Sequence, residues 1–537
     1  MIPLRSAFEI LTAKLNTVQH AVACVTDRYS YTAIAVALGA TYLLGAVSYA
    51  VFLSPLRNIP GSLIRRLTLL KYYMDVVRGI EAEKTESNYR RYGDIYLLGP
   101  NHVAICNPAD CQCKRVLGTH NFKKSDIYQA FAIVGDSIFT TQSADVSSAR
   151  RRLLGPAFTH GYLSRMEPTI LECGIVSLKR KWDKMLSEPG ADGKVVVEYS
   201  RQFSLAAFDV ISTLMYGQRF NSLGDFKISH VRWIEAFTTL GLLKFAMPFV
   251  SRFPGSLLVQ GLIGRVRDFT RFTDGATERR RKLLHEMKEG EDRPNDILQA
   301  LIDAEDPETG ARLTATEMTS ESTLMLIAGT HTTSPTLAWT LHYLLLYPEV
   351  YRKAVQEVRS TFLRHHLIRY TEGRSKLPYL EACLYESMRI RSIAGLFMPR
   401  VVPKGGATFQ GHYLPEGTQI GLSIAGMNHH LGTWENPQTF RPERFLEDRT
   451  AKHRMLSFST GVRICPSRNL AWVEMIPVLA NLLKDYDMEL PEDSLFKPSR
   501  LDGNGNPVVM PRLQTLTVAP KCQERDCRVV ISAAPDY

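Results

Sequence analysis

The chain has 537 residues, 45% hydrophobic and 22% charged, a composition that supports a substantial buried core and excludes an intrinsically disordered chain. Its formal net charge of +11 is spread along the sequence without a nucleic-acid motif, so no nucleic-acid partner is expected and anionic lipid or an acidic protein partner remains. Nine cysteines, an odd number without zinc spacing, argue against a disulfide framework and fit a reduced, cytosol-facing protein.

No charged residue lies between Arg28 and Arg57, and residues 31–53 are predominantly apolar. About 20 such residues cross a hydrocarbon core, and the run starts too late and is too long for the apolar part of a signal peptide. One transmembrane helix is predicted over 31–53. Arg57, Arg65, Arg66 and Lys71 follow it, whereas Glu9 and Asp27 dilute the positives before it. The bulk of the protein is therefore expected in the cytosol, with residues 1–30 as a lumenal extension.

Residues 92–98, a turn at Gly99-Pro100-Asn101 and residues 102–106 read as a β-hairpin. Cys111-Gln112-Cys113 reads as thiols on a helix rather than metal ligands. Residues 147–158 form a basic helix start that runs into an apolar turn, a pattern that a solvated basic face also produces. Loops are expected at 189–193 and 306–313. The apolar residues 240–250 read by default as core, with a substrate channel or a membrane-resting face as the other readings.

The longest periodic segment, residues 316–347, predicts a helix. In its middle stands Ala328-Gly329-Thr330-His331-Thr332-Thr333-Ser334-Pro335. Gly329 allows a flat ligand to approach the backbone closely. Thr332 can return its hydroxyl to the carbonyl of residue 328, and Pro335 cannot donate to that of residue 331, so a bulge or kink is expected. Free carbonyls and hydroxyls there suit oxygen and water, although alone the segment reads as a kinked core helix. Glu386 and Arg389 then lie three apart on one predicted helix face, usually a surface arrangement.

The stretch from Phe458 to Trp472 (FSTGVRICPSRNLAW) carries the clearest chemistry. A loop built around Gly461 presents Cys465, and an apolar periodic run over 470–483 follows as a buried helix. Pro466 suits the first helical position, and the free N–H groups behind it favour thiolate over thiol. A nucleophile would want a base, which the local sequence does not offer, and zinc would want further cysteine or histidine at ligand spacing. A single axial thiolate to haem iron needs no second protein ligand, with Arg463 available to a propionate and Phe458 as an aromatic face.

F-x-x-G-x-R-x-C followed by an L-A pair resembles the cysteine loop of the cytochrome P450 superfamily. Gly is usual two residues after the ligand, where this sequence has Ser467. Ala328 to Thr333 resembles the superfamily's oxygen-activation motif, with Thr332 as its proton-delivering threonine and His331 where an acid normally stands; histidine can relay protons near neutral pH. Glu386 and Arg389 with Phe440-Arg441-Pro442-Glu443-Arg444-Phe445 resemble the superfamily's Glu-Arg-Arg network, in which Glu386, Arg389 and Arg444 hold the cysteine loop at depth. Arg400 and Arg151 match arginines that contact propionates, although the tryptophan expected before Arg151 is replaced by Ser147. Residues 393–397 would face substrate, with a second contact near 508–510. Asn58-Ile59-Pro60-Gly61 resembles the hinge of membrane-bound members.

The resemblance implies a mainly α fold with small β-sheets, preceded by one N-terminal transmembrane helix over 31–53, a hinge over 54–62 and a catalytic domain over 63–537. It implies haem b held by Cys465, with Phe458, Gly461, Arg463, Arg400, Arg151 and Gly329 around it. It also implies a lipophilic small-molecule substrate, membrane lipid, and electrons from NADPH through a cytochrome P450 reductase at the endoplasmic reticulum. The flavour of the motifs points to oxidation in fungal secondary metabolism, of a terpenoid or polyketide. Two other readings stand beside monooxygenation: an oxygen-independent rearrangement or dehydration on haem-thiolate, and a non-catalytic haem sensor.

Overall fold

In the computed structural model the apolar N-terminal run is a helix, Tyr31–Ser48, continued by one π-helical turn, Tyr49–Leu53. The structure describes residues 31–107, 111–190, 192–288, 291–395 and 397–535, without the side chains of 111–114. The extension expected over residues 1–30 lies outside them. The 23 residues Tyr31–Leu53 have a mean hydropathy of 1.8 and almost no contact with the rest of the chain. An all-round apolar helix with no protein to pack against is a candidate membrane span. Behind it, Arg66 donates to the carbonyls of Arg57 (3.0 Å) and Ile59 (2.8 Å), and Leu97 N–H donates to the Pro60 carbonyl at 2.8 Å. Gly61 is required here: a Cβ at that position would sit 2.8 Å from Leu97 Cβ. The chain thus leaves the apolar helix clamped to the first strand.

That strand, β1 (Ile95–Gly99), forms the expected hairpin with β2 (His102–Ile105). The hairpin edges a five-stranded mixed sheet of order β1-β2-β8-β5-β3, with β3 at Lys123–Lys124, β5 at Met398–Val401 and β8 at Gln419–Leu422. Strand β2 runs parallel to β8, whereas β5 runs antiparallel to both β8 and β3. The three-stranded sheet β4-β12-β9 joins Lys194–Glu198, Arg528–Ala533 and Tyr486–Glu489, and β6 (Ala407–Phe409) pairs with β7 (His412–Leu414). A last pair, β10 (Arg512–Gln514) and β11 (Val518–Pro520), forms a hairpin.

Helices make up most of the described chain. The central one, Ala315–Leu346, starts at a capping box in which the Thr314 hydroxyl accepts from Glu317 N–H while the Glu317 side chain accepts from Thr314 N–H. It is buried nearly all round, among Tyr199–Tyr216, Pro378–Ile390 and Arg468–Asp485, which together enclose the main apolar core. Residues 240–250 fall mainly in the helix Ile228–Ala246, where Leu240, Leu242 and Ala246 are buried, as the core reading expects.

The central helix stays α-helical through Pro335. The hydroxyls of Thr332, Ser334 and Thr336 return to the carbonyls of Ala328, Thr330 and Thr332 at 2.8 Å each, while Pro335 leaves the His331 carbonyl without its helical donor. The expected bulge is absent. Gly329 also differs from expectation, because a Cβ there would lie 2.7 Å from Ile211 Cγ1. The glycine serves close packing against the helix Tyr199–Tyr216.

Candidate active site

The cysteine loop is a tight turn. Cys465 N–H donates to the Phe458 carbonyl at 2.8 Å, and Ile464 N–H to Gly461 at 3.1 Å, across the 3-10 turn Gly461–Arg463. Gly461 has φ +56°, and a Cβ on it would meet Gly118 Cα at 2.7 Å, so both backbone conformation and packing demand glycine. The helix after the loop begins at Arg468, with Ser467 at its N-cap, two residues later than Pro466 suggested. Phe458 packs against Trp472, ring centroids 6.3 Å apart. Burial pushes the Cys465 thiol up, outweighing Ser467, whose Oγ lies 3.4 Å from the sulfur, and Arg151 and Arg468, which favour the thiolate.

Cys465 forms part of the wall of a cavity of about 1290 Å³, lined mainly by apolar side chains. Thr332, Ala328 and His331 reach it from the central helix, Ile393, Ala394 and Phe397 from the segment before β5, and Phe131 and Phe139 from the other side. Residues 508–510 stay outside. Met510 is buried in the core, its N–H directed to His342 Nε2 at 3.2 Å, and the C-terminal contact comes instead from Leu516 and Thr517 in the turn between β10 and β11. His331 and Thr517 also border a second, more polar cavity of about 1410 Å³ edged by Arg201, Glu235 and Lys521. Burial holds the His331 imidazole down at about 4, so it is neutral at physiological pH, and its Nδ1 is buried without a protein partner.

A basic cradle flanks the cysteine. Arg151 donates to the Ile464 carbonyl at 2.9 Å, Arg463 to Ser147 Oγ at 3.1 Å, and Arg400 to the Tyr128 hydroxyl at 2.7 Å. Ser147, where a tryptophan was expected, thus steadies Arg463. Lys124, Tyr128 and His120 join these arginines, and sequence reasoning missed all three. Lys123-Lys124 reads as a surface pair; only the pairing of β3 with β5, 276 residues later in the chain, sets Lys124 opposite Arg400. Lys124 donates to the carbonyls of Ile138 and Phe139, and burial together with Arg463, Arg400 and Arg151 lowers it to about 6. Burial and the other two arginines lower Arg463 to about 10.

This charge arrangement fits haem carboxylates. The Nε atoms of Arg151, Arg400 and Arg463, and Nη2 of Arg463, are buried without partners, and among the described residues no carboxylate forms an ion pair with any of the three. Buried charges are ordinarily paired, so unpaired guanidinium atoms beside a cysteine-bearing apolar cavity call for an anionic ligand. No group of three or more metal-ligating side chains exists among the described residues. A metal here would rest on the one thiolate and on a macrocycle that brings its own ligands.

Glu386, Arg389 and Arg444 lie behind the site. Arg389 makes a two-pronged contact with Glu386 (2.7 and 2.8 Å) and also donates to the carbonyls of Asn428 and Pro437; Arg444 Nε reaches Glu386 Oε1 at 3.0 Å. All three are buried. Arg150 and Glu321 tie the helix Ala144–Leu154, which carries Arg151, to the central helix at 3.0 Å.

The family model for cytochrome P450 matches residues 62–515. The chain is 39% identical to the cytochrome P450 monooxygenase helB1 of Aspergillus fumigatus, over 92% of this chain and 85% of that protein. It is also 39% identical to helB3 of the same fungus, over 92% and 96%. Trichothecene C-15 hydroxylase of Fusarium sporotrichioides is 28% identical over 85% and 92%. Among solved structures, the cytochrome P450DA heme domain matches with a TM-score of 0.69 at 20% identity, covering 85% of this chain and 94% of that one, a likeness of fold. The chain belongs to the cytochrome P450 family and is a monooxygenase of that family.

Proposed function

We propose that this monooxygenase oxidises a lipophilic small molecule in fungal secondary metabolism, a terpenoid or polyketide, with electrons from NADPH through a cytochrome P450 reductase. The observation that carries the reading is that Cys465 and Thr332, 133 residues apart in the chain, border one large, mainly apolar cavity. Such a cavity binds substrate by apolar burial and leaves few polar groups to fix its orientation. The similarity to fungal monooxygenases, one of them a trichothecene hydroxylase, supports the substrate class. Residues 31–53 are the anchor in the endoplasmic reticulum membrane, residues 54–62 the hinge and residues 63–537 the catalytic domain, facing the cytosol.

Haem b would supply the redox chemistry that activates oxygen. Cys465 would hold its iron through sulfur, with Phe458 beside it on the cavity wall, and Gly461 lets the loop turn tightly enough to present the cysteine. Arg151, Arg400 and Arg463 would hold the propionates with guanidinium atoms that are otherwise unpaired. Thr332 donates its proton to the Ala328 carbonyl and keeps its oxygen lone pairs free to accept from water in the cavity. His331, neutral, can accept a proton at one ring nitrogen and release one at the other, and it borders both the apolar cavity and the polar one. Glu386, Arg389 and Arg444 hold the loop from behind.

The test is a reduced, carbon-monoxide-bound difference spectrum of the protein in membranes beside a Cys465→Ala control, followed by turnover with reductase and NADPH. A thiolate-type Soret band that the control loses, with product formation dependent on both NADPH and oxygen, is the expected result. His331 in place of the usual acid favours a second reading, an oxygen-independent rearrangement. Product formed without NADPH or oxygen would decide for it.

A further inference from the structure

The residue after Pro466 does something its position does not require. Ser467 stands at the N-cap of the helix Arg468–Asp485, where a serine hydroxyl ordinarily accepts from the N–H two or three residues on. Here that capping bond is absent, and Ser467 Oγ lies 3.4 Å from Cys465 Sγ, within hydrogen-bonding reach of sulfur. Its backbone, at φ −88° and ψ 15°, is open to any L-residue, so backbone strain does not dictate the choice of side chain. A thiolate has no proton to give, so when Cys465 is ionised the hydroxyl must be the donor.

We propose that Ser467 is a positioning residue which, through its hydroxyl, donates a hydrogen bond to the Cys465 thiolate and weakens the sulfur's electron donation to haem iron. The inference rests on the haem-thiolate reading of Cys465. Hydrogen bonds to a ligating sulfur withdraw charge from it and raise the reduction potential of the metal. The helix gives up a capping bond for this, so the hydroxyl's preference for sulfur is specific to this loop. The consequence is an iron that takes its first electron more readily from the reductase than it would with glycine at this position.

The experiment compares full-length wild type with Ser467→Gly, Ser467→Ala and Ser467→Thr in membranes, reading the midpoint potential against reference dyes and the Fe–S stretching frequency by resonance Raman. Glycine and alanine only remove atoms from an unstrained position, so the loop keeps its fold. Both variants are expected to move the ferric-to-ferrous ratio at fixed poise about three- to tenfold toward ferric, tenfold being 59 mV for one electron, and to raise the Fe–S frequency. Threonine, which restores the hydroxyl, is expected to stay with wild type. Unmoved potentials in the glycine and alanine variants, or a threonine variant that shifts with them, would overturn the role of Ser467. A wild-type protein without any thiolate-type band would instead overturn the reading of Cys465.

Discussion

Lys124 and Arg400 stand directly opposite each other in the antiparallel pair β3–β5, both buried. Like charges in that position destabilise a sheet, and burial, with the repulsion of Arg463, Arg400 and Arg151 added to it, brings Lys124 to about 6. Two haem carboxylates entering the cradle would restore its proton.

The first prediction follows from linkage. Haem binding raises the pKa of Lys124 from about 6, so this group takes up a proton on binding, whereas the Cys465 thiol, which burial pushes up, gives one up to bind as thiolate, and the two contributions oppose each other. The Lys124 part is isolated by comparison: in Soret-monitored titrations of haem into apo-protein from pH 6 to 9, Lys124→Met is expected to bind more weakly than wild type, with a wild-type-to-variant affinity ratio that is largest near pH 6 and shrinks as pH rises. A ratio independent of pH would contradict the prediction.

Arg444 gives the second. Its removal leaves Glu386 buried with only Arg389 as a charged partner, and breaking a buried ionic set costs about 3–5 kcal/mol. Arg444→Leu is expected to lower the thermal midpoint markedly and to reduce the yield of haem-loaded protein. Arg441→Ala, which loses an exposed pair with Glu447, is expected to change stability by less than about 1 kcal/mol.

Features carried by local sequence were legible without a structure. The apolar run of 31–53, the hairpin around Gly99-Pro100-Asn101, the central helix and the tight turn at Gly461 each follow from a short stretch whose periodicity or glycine content speaks for itself. What stayed hidden depends on distant pairing. Lys124 gains its place only because β3 joins β5, and Leu516 and Thr517 reach the cavity only because a C-terminal hairpin folds under the central helix. Gly329 misled for a related reason: a glycine on a helix permits close approach on one side, and sequence alone does not say whether the neighbour is a ligand or, as here, Ile211.

The third prediction concerns Glu474, buried on the helix after the cysteine loop among Ile170, Phe203 and Leu337, with Oε1 unpartnered. Burial holds its carboxyl well above the usual carboxylate range, so the folded protein keeps it protonated. The folded state then binds more protons than the unfolded one above about pH 4.5, and stability is lost as pH rises from there toward the folded pKa. Glu474→Met removes that loss together with an unsatisfied polar group worth roughly 1–3 kcal/mol. Thermal midpoints at pH 6 and pH 8 are expected to favour the variant at both, by more at pH 8.

The fourth prediction separates Thr332 from His331. Thr332→Val keeps the shape and removes the hydroxyl; with the cavity otherwise intact, substrate is expected to bind as before while product per NADPH falls and peroxide rises. His331→Phe keeps a flat ring and removes both nitrogens. If the imidazole passes protons between the polar cavity and Thr332, the variant loses coupling at least about tenfold, at the low end of what positioned acid–base groups contribute. Because burial lowers His331 to about 4, the imidazole is neutral from pH 6 to pH 8, and coupling in the wild type is expected to be flat across that range. A wild-type coupling that titrates near pH 6.5 would require an imidazole exposed to water, and an unchanged coupling in His331→Phe would reduce the residue to a filler in the wall between the two cavities.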